Sequence, residues 1–225
     1  MSLTKFIRDI QKKHEAIPSP GAIVYNVTAA KVLRKPETKI ANGVIEKMGG
    51  GTIPDLGSGT GYLSIEIAKR APAIQVYGID LSRQMIRIAR RHARGVENAQ
   101  FQFGNAADLP FEDNSIDFVI STGSLHHWKI PAKVFNECYR VLKTGREAWI
   151  YDGCPDVFKG QANRDRIRKG YGFLVYRIGN KVAELHGFGR EEYQSKIKDT
   201  LDQTEFKGSY QMELVDIWMK ITLKK

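Results

Sequence analysis

Residues 53–63 read IPDLGSGTGYL, an apolar run that leads through an acidic residue into three alternating glycines and then into helix-forming residues. This order predicts a β-strand, a tight turn and a helix, because glycine has no Cβ to block the close approach of a ligand's polar tail. A second apolar run, VYGID, ends in Asp80, twenty-five residues after Asp55. A carboxylate at the end of a neighbouring strand can accept hydrogen bonds from ribose hydroxyls. The two segments therefore predict a site for a ligand that contains a ribose.

Strand-like and helix-like segments alternate on both sides of this motif, which favours an α/β protein. The predicted strands are Gly51–Leu56, Gln75–Ile79, Gln100–Phe103, Ile116–Ser121 and Glu147–Tyr151. The predicted helices are Thr38–Lys47, Tyr62–Arg70, Ser82–Arg94, Pro131–Lys143 and Arg190–Thr204. Two further strand-like runs, Ser209–Leu214 and Ile217–Leu223, close the chain.

Four blocks in this order resemble the class I S-adenosylmethionine-dependent methyltransferases. The first two are the glycine motif and the run that ends in Asp80. The third is GNAADLPF at residues 104–111, and the fourth is SIDFVIS at residues 115–121, which continues into Leu125-His126-His127-Trp128. The sequence is most similar to the small-molecule branch called type 11, which includes quinone-biosynthesis methyltransferases.

The resemblance implies the fold of that class in a single domain spanning residues 1–225. This is an α/β, Rossmann-like three-layer sandwich, whose mostly parallel seven-stranded sheet has an antiparallel C-terminal edge hairpin. Within it we expect an N-terminal lid at residues 1–36 and a cofactor-binding core at residues 37–151. A cap at residues 152–208 and closing strands at residues 209–225 complete the expected domain.

S-adenosyl-L-methionine is the cofactor that the resemblance implies. The glycine turn would hold its methionine portion, Asp55 would reach toward the ammonium group, and Asp80 would bind the ribose. Leu81 would lie against the adenine, and Asn105, where relatives commonly carry an aspartate, would accept from the adenine amino group. The predicted cofactor-binding residues are Tyr25, Asp55, Gly57, Ser58, Gly59, Asp80, Leu81, Asn105, Ala106 and Ser121. For Asp55 the alternative is a carboxylate that only caps the following helix, and for Tyr25 it is surface packing.

His126 and His127 are the candidate catalytic residues, because the family places the residues after its fourth strand along the methyl-transfer cavity. Histidine titrates near neutral pH and can take a proton from an acceptor oxygen or nitrogen. The alternative is that the two side chains only shape the pocket wall. No metal is predicted to take part, and a general base is needed only if the acceptor must lose a proton.

The net charge of +10, from 35 basic and 25 acidic residues, favours a negatively charged partner. We expect a small-molecule acceptor, for which this charge favours an anionic metabolite. RNA is a less favoured acceptor, supported by the basic and aromatic segment Gln161–Lys181. Against it, Ser121-Thr122-Gly123-Ser124 stands where nucleic-acid amine methylases commonly carry an Asn/Asp-Pro-Pro-Tyr/Phe motif.

Two further functions stay open at the level of sequence. A nicotinamide-dependent dehydrogenase would share the strand, glycine turn and acid, but its usual spacing is GxGxxG, whereas the glycines here follow GxGxG. A non-catalytic cofactor-binding subunit is the other alternative. No apolar run approaches the ~20 residues needed to cross a bilayer, so we expect no membrane insertion. Cys138 and Cys154 lack metal-ligand spacing and are expected to be two reduced thiols, as in a cytoplasmic protein. No sequence feature sets an oligomeric state.

Overall fold

The computed structural model describes the backbone of residues 29–225 and the side chains of residues 34–225, apart from residues 182, 185 and 186. Tyr25 and most of the expected lid at residues 1–36 lie outside the described residues. Within the described part of the chain, no helix is long and apolar enough to cross a membrane.

Seven strands form one sheet in this part of the chain, in the spatial order β3-β2-β1-β4-β5-β7-β6. Neighbours among the first five strands pair in parallel, whereas β7 pairs antiparallel with both β5 and β6. The strands are β1 (Gly51–Leu56), β2 (Ile74–Asp80), β3 (Ala99–Phe103), β4 (Ile116–Thr122), β5 (Leu142–Gly153), β6 (Tyr210–Val215) and β7 (Trp218–Lys224). The predicted fold class is confirmed.

The helices alternate with the strands along the parallel half of the sheet and then gather in the expected cap. They are α1 (Ala29–Met48), α2 (Tyr62–Arg70), α3 (Arg83–His92), α4 (Pro131–Val141), α5 (Gln161–Tyr171), α6 (Phe173–His186), α7 (Arg190–Glu192) and α8 (Lys198–Leu201). A π-helical turn, Tyr193–Ile197, joins α7 to α8, and short 3-10 turns occupy Leu125–His127 and Pro155–Phe158.

The apolar faces of these elements meet on both sides of the sheet, as the sequence pattern predicts. In α3, Met85, Ile86 and Ala89 are buried, and the arginines of the helix are exposed. The Ser82 hydroxyl accepts a hydrogen bond from the Met85 amide at 3.3 Å and so caps the start of this helix. In the sheet centre, Phe118 of β4 packs edge-on against Trp149 of β5, with ring centroids 5.1 Å apart.

Pro54 lies within β1, in the middle of the sheet, although proline cannot donate to a strand ladder. Backbone nitrogens two residues apart in a strand face the same neighbour, so Pro54 faces the same side as Thr52. On that side the Thr52 amide donates to the Asp117 side chain at 3.0 Å, and the ladder between β1 and β4 begins only at Asp55. The missing donor therefore falls where the sheet forms no backbone pair.

Several boundaries differ from the sequence predictions, and one segment without a predicted element is helical. Helix α1 begins at Ala29 rather than Thr38 and runs through Pro36. Helix α4 ends at Val141. In the ladder between β4 and β5, Ile116 pairs with Leu142 and Phe118 pairs with Glu147, so residues Lys143–Arg146 of β5 have no partner in β4. Gly145, within this segment, has φ +76°. The basic segment Gln161–Lys181, to which no element was assigned, forms α5 and the first part of α6.

Arg140 of α4 fastens the loop between β3 and β4. Its guanidinium donates to the backbone oxygens of Leu109 and Phe111 at 3.0 and 2.8 Å, and it pairs with Glu137 at 2.7 Å. Glu137 in turn accepts from the Leu109 amide at 2.7 Å. The hydrogen bond from Arg140 holds the pKa of Glu137 below its usual range. The loop that carries Asn105 is thus held by one helix-borne ion pair.

We expect Arg140→Ala to lower the free energy of unfolding by about 2–3 kcal/mol, because two carbonyls and a carboxylate lose a charged donor. Urea unfolding at neutral pH measures this change, and Arg91→Ala on the exposed face of α3 is the control. The pKa of Glu137 is lowered in the folded state, so its contribution is present above its unfolded pKa and is lost as the pH falls. The difference between variant and wild type should therefore shrink in acid; a difference independent of pH would contradict this role of the ion pair.

Candidate active site

The predicted site residues of the described chain come together at the carboxyl ends of the parallel strands. Asp55 is the second-last residue of β1, Asp80 is the last residue of β2, and Ser121 is the second-last residue of β4. The strand order reverses between β1 and β4, and ligands of open α/β sheets bind in the crevice at such a reversal.

The glycine turn, Gly57–Gly61, folds back onto the end of β2. The amides of Gly57 and Ser58 both donate to the Ile79 carbonyl, at 2.8 and 3.1 Å. Gly57, Gly59 and Gly61 have φ of +71°, +54° and +80°, a region in which residues with a Cβ are strained. The three alternating glycines are therefore required by the backbone of the turn.

Space around these glycines is uneven. A Cβ on Gly57 would lie 2.7 Å from the Ser124 hydroxyl, and a Cβ on Gly61 would lie 2.6 Å from the Phe101 ring. A Cβ on Gly59 would meet no atom within 4 Å. Gly57 and Gly61 thus serve packing inside the protein, and Gly59 borders open space that a ligand can use.

Asp80 fixes the tip of the glycine turn as well as its own loop. One carboxylate oxygen accepts from the Gly59 amide at 2.9 Å, and the other accepts from the Ser82 amide at 2.7 Å. Burial raises the pKa of Asp80, and these two amide donors oppose that shift. Each oxygen still carries a lone pair, so the carboxylate can also accept from two ribose hydroxyls.

Asp55 is 1% exposed, and the Ser64 hydroxyl of α2 donates to its Oδ2 at 2.6 Å. Its Oδ1 and the Ser58 hydroxyl are buried and have no hydrogen-bond partner among the described residues. Burial raises the pKa of Asp55 to about 7, and the nearby charge of Asp80 adds to the rise. Its contact with α2 is made by the Ser64 side chain, and no backbone amide at the start of α2 donates to Asp55 among the described residues.

Asn105 organises its own loop. Its side-chain oxygen accepts from the Ala107 amide at 2.9 Å, so the predicted contact with adenine would use the second lone pair of that oxygen. Ala106 lies in the same turn and is half-buried, as is Leu81 beside Asp80. The structure thus brings these three residues to the same edge of the sheet; their cofactor contacts stay predictions.

Ser121 is fully buried and joins two strands. Its hydroxyl donates to the Leu56 carbonyl at 2.8 Å and lies 2.7 Å from the Ser124 hydroxyl. Ser124 also receives the Trp128 indole N–H at 3.1 Å. These partners tie β4 and the following turn to the end of β1, so we expect Ser121 to support the glycine turn from behind.

His126 and His127 lie in the 3-10 turn after β4, with ring centroids 4.1 Å apart. His126 Nδ1 is 2.8 Å from one oxygen of Asp152, and the His126 amide donates to the other oxygen at 2.8 Å. Asp152 is 1% exposed and is the second-last residue of β5. Its carboxylate also accepts a hydrogen bond from the Gly153 amide. Because a carboxylate accepts hydrogen bonds, Nδ1 carries the hydrogen and Nε2 carries the lone pair of the neutral ring.

Asp152 was missed at the level of sequence, although a signal was present. It follows the apolar run of β5 just as Asp55 and Asp80 end the runs of β1 and β2. Glu37 was also missed; it lies on α1, is 9% exposed and faces the same end of the sheet, as shown below. Among the described residues, no three His, Cys, Asp or Glu side chains are grouped to hold a metal ion.

Comparison with known proteins agrees with this geometry. Residues 54–150 match the family model of the methyltransferase domain. These residues resemble the class I S-adenosylmethionine-dependent methyltransferases. A demethylmenaquinone methyltransferase of Thermus thermophilus is 39% identical over 56% of this chain and 53% of its own length. One from Clavibacter sepedonicus is 29% identical over 67% of this chain and 58% of its own length.

A solved structure covers more of the chain. A Methanococcus maripaludis protein, provisionally assigned as an S-adenosyl-L-methionine-dependent methyltransferase, superposes with a TM-score of 0.71 at 28% identity, covering 92% of this chain and 93% of its own. By contrast, the chain spans about half the length of the curated relatives it matches, 58%, 47% and 53% for three of them. The predicted fold is confirmed, the predicted family and cofactor class agree with these likenesses, and the residue roles remain predictions.

The residues at the glycine turn fit S-adenosylmethionine. Two buried polar atoms, Asp55 Oδ1 and Ser58 Oγ, have no hydrogen-bond partner in the part of the chain that the structure describes, and buried polar groups are usually satisfied in folded proteins. Open space borders Gly59, where the methionine portion is predicted to lie. Asp80 retains acceptor capacity for the ribose. A ligand with an ammonium group and vicinal hydroxyls would satisfy these groups together.

The glycine turn yields a matched pair of variants, because Gly57 and Gly59 share a positive φ but differ in the space around them. We expect Gly57→Ala to lower the free energy of unfolding more than Gly59→Ala, by about 1–3 kcal/mol, because its Cβ collides with Ser124. We expect Gly59→Ala to remain folded and to weaken binding of S-adenosylhomocysteine at least about tenfold. Denaturant unfolding and calorimetric titration measure the two effects.

Gly145→Ala is the control for the strain that a Cβ causes at positive φ. Gly145 has φ +76°, and an added Cβ would meet no atom of the described residues within 4 Å. It should show the strain of a positive φ, about 1–2 kcal/mol, without loss of binding. Wild-type affinity in Gly59→Ala would place the methionine portion elsewhere.

Proposed function

We propose that this protein transfers a methyl group from S-adenosylmethionine to a small, anionic metabolite by in-line displacement. The observation that carries the proposal is the hydrogen-bonded pair of His126 and Asp152 beside the glycine turn. It adds a proton acceptor to a site that already fits the cofactor. When bound, the cofactor supplies an activated methyl group on a sulfonium, so that the acceptor's lone pair forms the new bond as the carbon–sulfur bond breaks.

The protein's part in this reaction is to position, to exclude water and to accept a proton. Asp80 and the glycine turn fix the cofactor from the β1–β2 side, which supplies orientation. Asp152 holds the His126 ring through Nδ1, which leaves Nε2 as the proton acceptor. The His127 ring packs beside the His126 ring at an interplanar angle of 45°, and we assign it a positioning role.

The acceptor class follows from this chemistry and from the relatives. A histidine base is useful when the acceptor carries an acidic O–H whose removal leaves an anionic nucleophile. Several relatives are named as methyltransferases of demethylmenaquinone or of a phytyl hydroquinone. We therefore propose a phenol-like or hydroquinone-like acceptor that is anionic when it reacts.

The cap arginines add no direct support for an anionic acceptor. Only Ile167 and Tyr171 of α5 are buried, so Arg164 and Arg168 lie on its exposed face. Arg166, also exposed, donates to the Asp216 carbonyl at 2.9 Å. In the described structure these cations therefore lie on the outer face of the cap.

RNA is the second candidate acceptor, favoured by one surface feature. Phe173 is 56% exposed, and the guanidiniums of Arg168 and Arg177 lie 5.5 and 5.7 Å from its ring centroid. Exposed aromatic rings flanked by arginine can stack bases of a single strand. Salt-dependent binding of an unstructured RNA that is lost in Phe173→Ala would favour this candidate.

The acceptor can be tested directly with methyl-labelled S-adenosylmethionine. Demethylmenaquinone, a set of small phenols and total RNA are each incubated with the full chain, and transferred label is counted. Label in the quinone or in a phenol supports the proposal. Label only in RNA, or in none of the three, contradicts it.

We expect Asp152→Asn and His126→Gln to lower kcat for the labelled acceptor by about 10²–10⁴-fold, the usual contribution of a general base. Affinity for S-adenosylhomocysteine should stay at the wild-type value, because neither side chain belongs to the glycine turn. Stopped-time methyl-transfer assays and calorimetry give the two numbers. Asp199→Asn, on the exposed surface of α8, is the matched control. Full kcat in a folded Asp152→Asn would show that no proton passes through His126.

A further inference from the structure

Glu37 is a buried carboxyl that the proposed reaction does not use. It lies on α1 and is 9% exposed. No hydrogen bond reaches its carboxylate from any described residue, whereas most buried charged groups are paired. A buried, unpaired carboxyl is costly, so its retention at a binding site needs a reason.

The helix geometry directs Glu37 toward the glycine turn. Residues three and four apart share one face of a helix, so Arg34, Glu37 and Thr38 lie together. Arg34 lies over the Tyr62 ring, 5.1 Å from its centroid, and the Thr38 hydroxyl is 3.2 Å from the Tyr62 hydroxyl. Tyr62 directly follows Gly61 and begins α2. Glu37 therefore faces the start of α2, beside the turn.

Asp55 reaches the same place from the sheet. It accepts from Ser64 in the first turns of α2 through Oδ2, and its buried Oδ1 has no partner. Two carboxyl groups, one from α1 and one from β1, thus converge on the start of α2, and at least one of their oxygens is buried and unsatisfied. A cation with several N–H donors would satisfy both.

We propose that Glu37 and Asp55 together bind the α-ammonium group of S-adenosylmethionine, and that Glu37 releases a proton when this group binds. The inference rests on the proposed function, because it assigns Glu37 to the methionine end of the same cofactor. The ammonium keeps its three protons and donates them, and the proton lost by Glu37 passes to solvent. Cofactor affinity therefore depends on pH.

The charges around Glu37 support this coupling. Burial raises the pKa of Glu37 to about 8; the charge of Asp55 adds to the rise and Arg34 opposes it. The hydrogen bond from Ser64 lowers the pKa of Asp55, and the charge of Asp80 raises it. These are the charged groups that act on the pair from α1, β1 and β2. Near neutral pH, Glu37 is protonated without a ligand and ionised beside an ammonium.

Calorimetric titration of the full chain measures the released proton. S-adenosylhomocysteine is titrated near pH 7 in buffers of different ionisation enthalpy, and the slope gives the number of protons released. We expect Glu37→Gln to release about one proton fewer than wild type. Between pH 6.5 and 7.5, wild-type affinity should rise about tenfold more than that of the variant. Glu46→Gln, exposed on the same helix, should match wild type.

A second ligand tests the ammonium without any substitution. Methylthioadenosine keeps the adenine, ribose and sulfur but lacks the amino-acid portion. Wild-type protein should release about one proton fewer with it than with S-adenosylhomocysteine. Equal release with both ligands, or equal release by wild type and Glu37→Gln, would overturn the assignment of Glu37. Failure of wild type to bind either ligand would overturn the proposed function as well.

Thermal unfolding without ligand gives an independent readout. The folded pKa of Glu37 lies above its unfolded value of 4.5, so the stability it contributes is present in acid and is lost as the pH rises toward about 8. Glu37→Gln has no group to titrate there. Its Tm should rise relative to wild type between about pH 5 and 9. A constant difference across that range would show that Glu37 is not held in this environment.

Discussion

The site depends on the hydrogen bonds that join the glycine turn to the end of β2. Parallel pairing sets Asp55 opposite Gly78 and Leu56 opposite Ile79, so both strands end at one level. The turn can then reach the Ile79 carbonyl and the Asp80 carboxylate. Gly78 makes room for this, because a Cβ there would lie 2.8 Å from the Ser58 hydroxyl. A longer side chain at that position of β2 would separate the turn from the strand that orients it.

The charge of this site is opposite to that of the whole chain. The chain carries +10, yet Glu37, Asp55, Asp80 and Asp152 are gathered at one end of the sheet, while the arginines of α3 and α5 are exposed. Burial of carboxylates costs stability unless a cation or donors compensate it. A positively charged cofactor would offset part of this negative charge. The net charge of the chain therefore reflects its exposed arginines and does not report the charge of the buried carboxyl groups at the site.

The sheet and the cofactor half of the site were predictable because they depend on local patterns. Alternating glycines and an acid after an apolar run specify Gly59 and Asp80 by the backbone geometry that they permit. Glu37 was not predictable, because the apolar spacing of α1 becomes regular only after it and its burial depends on tertiary packing of α1. The partnership of His126 with Asp152 depends on the ladder between β4 and β5, which places Thr122 opposite Tyr151. Such pairings require the register, which the sequence does not reveal.

The two halves of the site are coupled through Leu56. Its carbonyl, at the end of β1, accepts from both Ser121 at 2.8 Å and Ser124 at 3.1 Å. Ser124 also occupies the space beside Gly57 and immediately precedes the 3-10 turn that carries His126. The position of His126 is thus fixed by the same contacts that shape the glycine turn. Because packed interiors deform little, a change at Gly57 must displace either Ser124 or the turn itself. A change at Gly57 is therefore expected to affect both the glycine turn and the turn that carries His126.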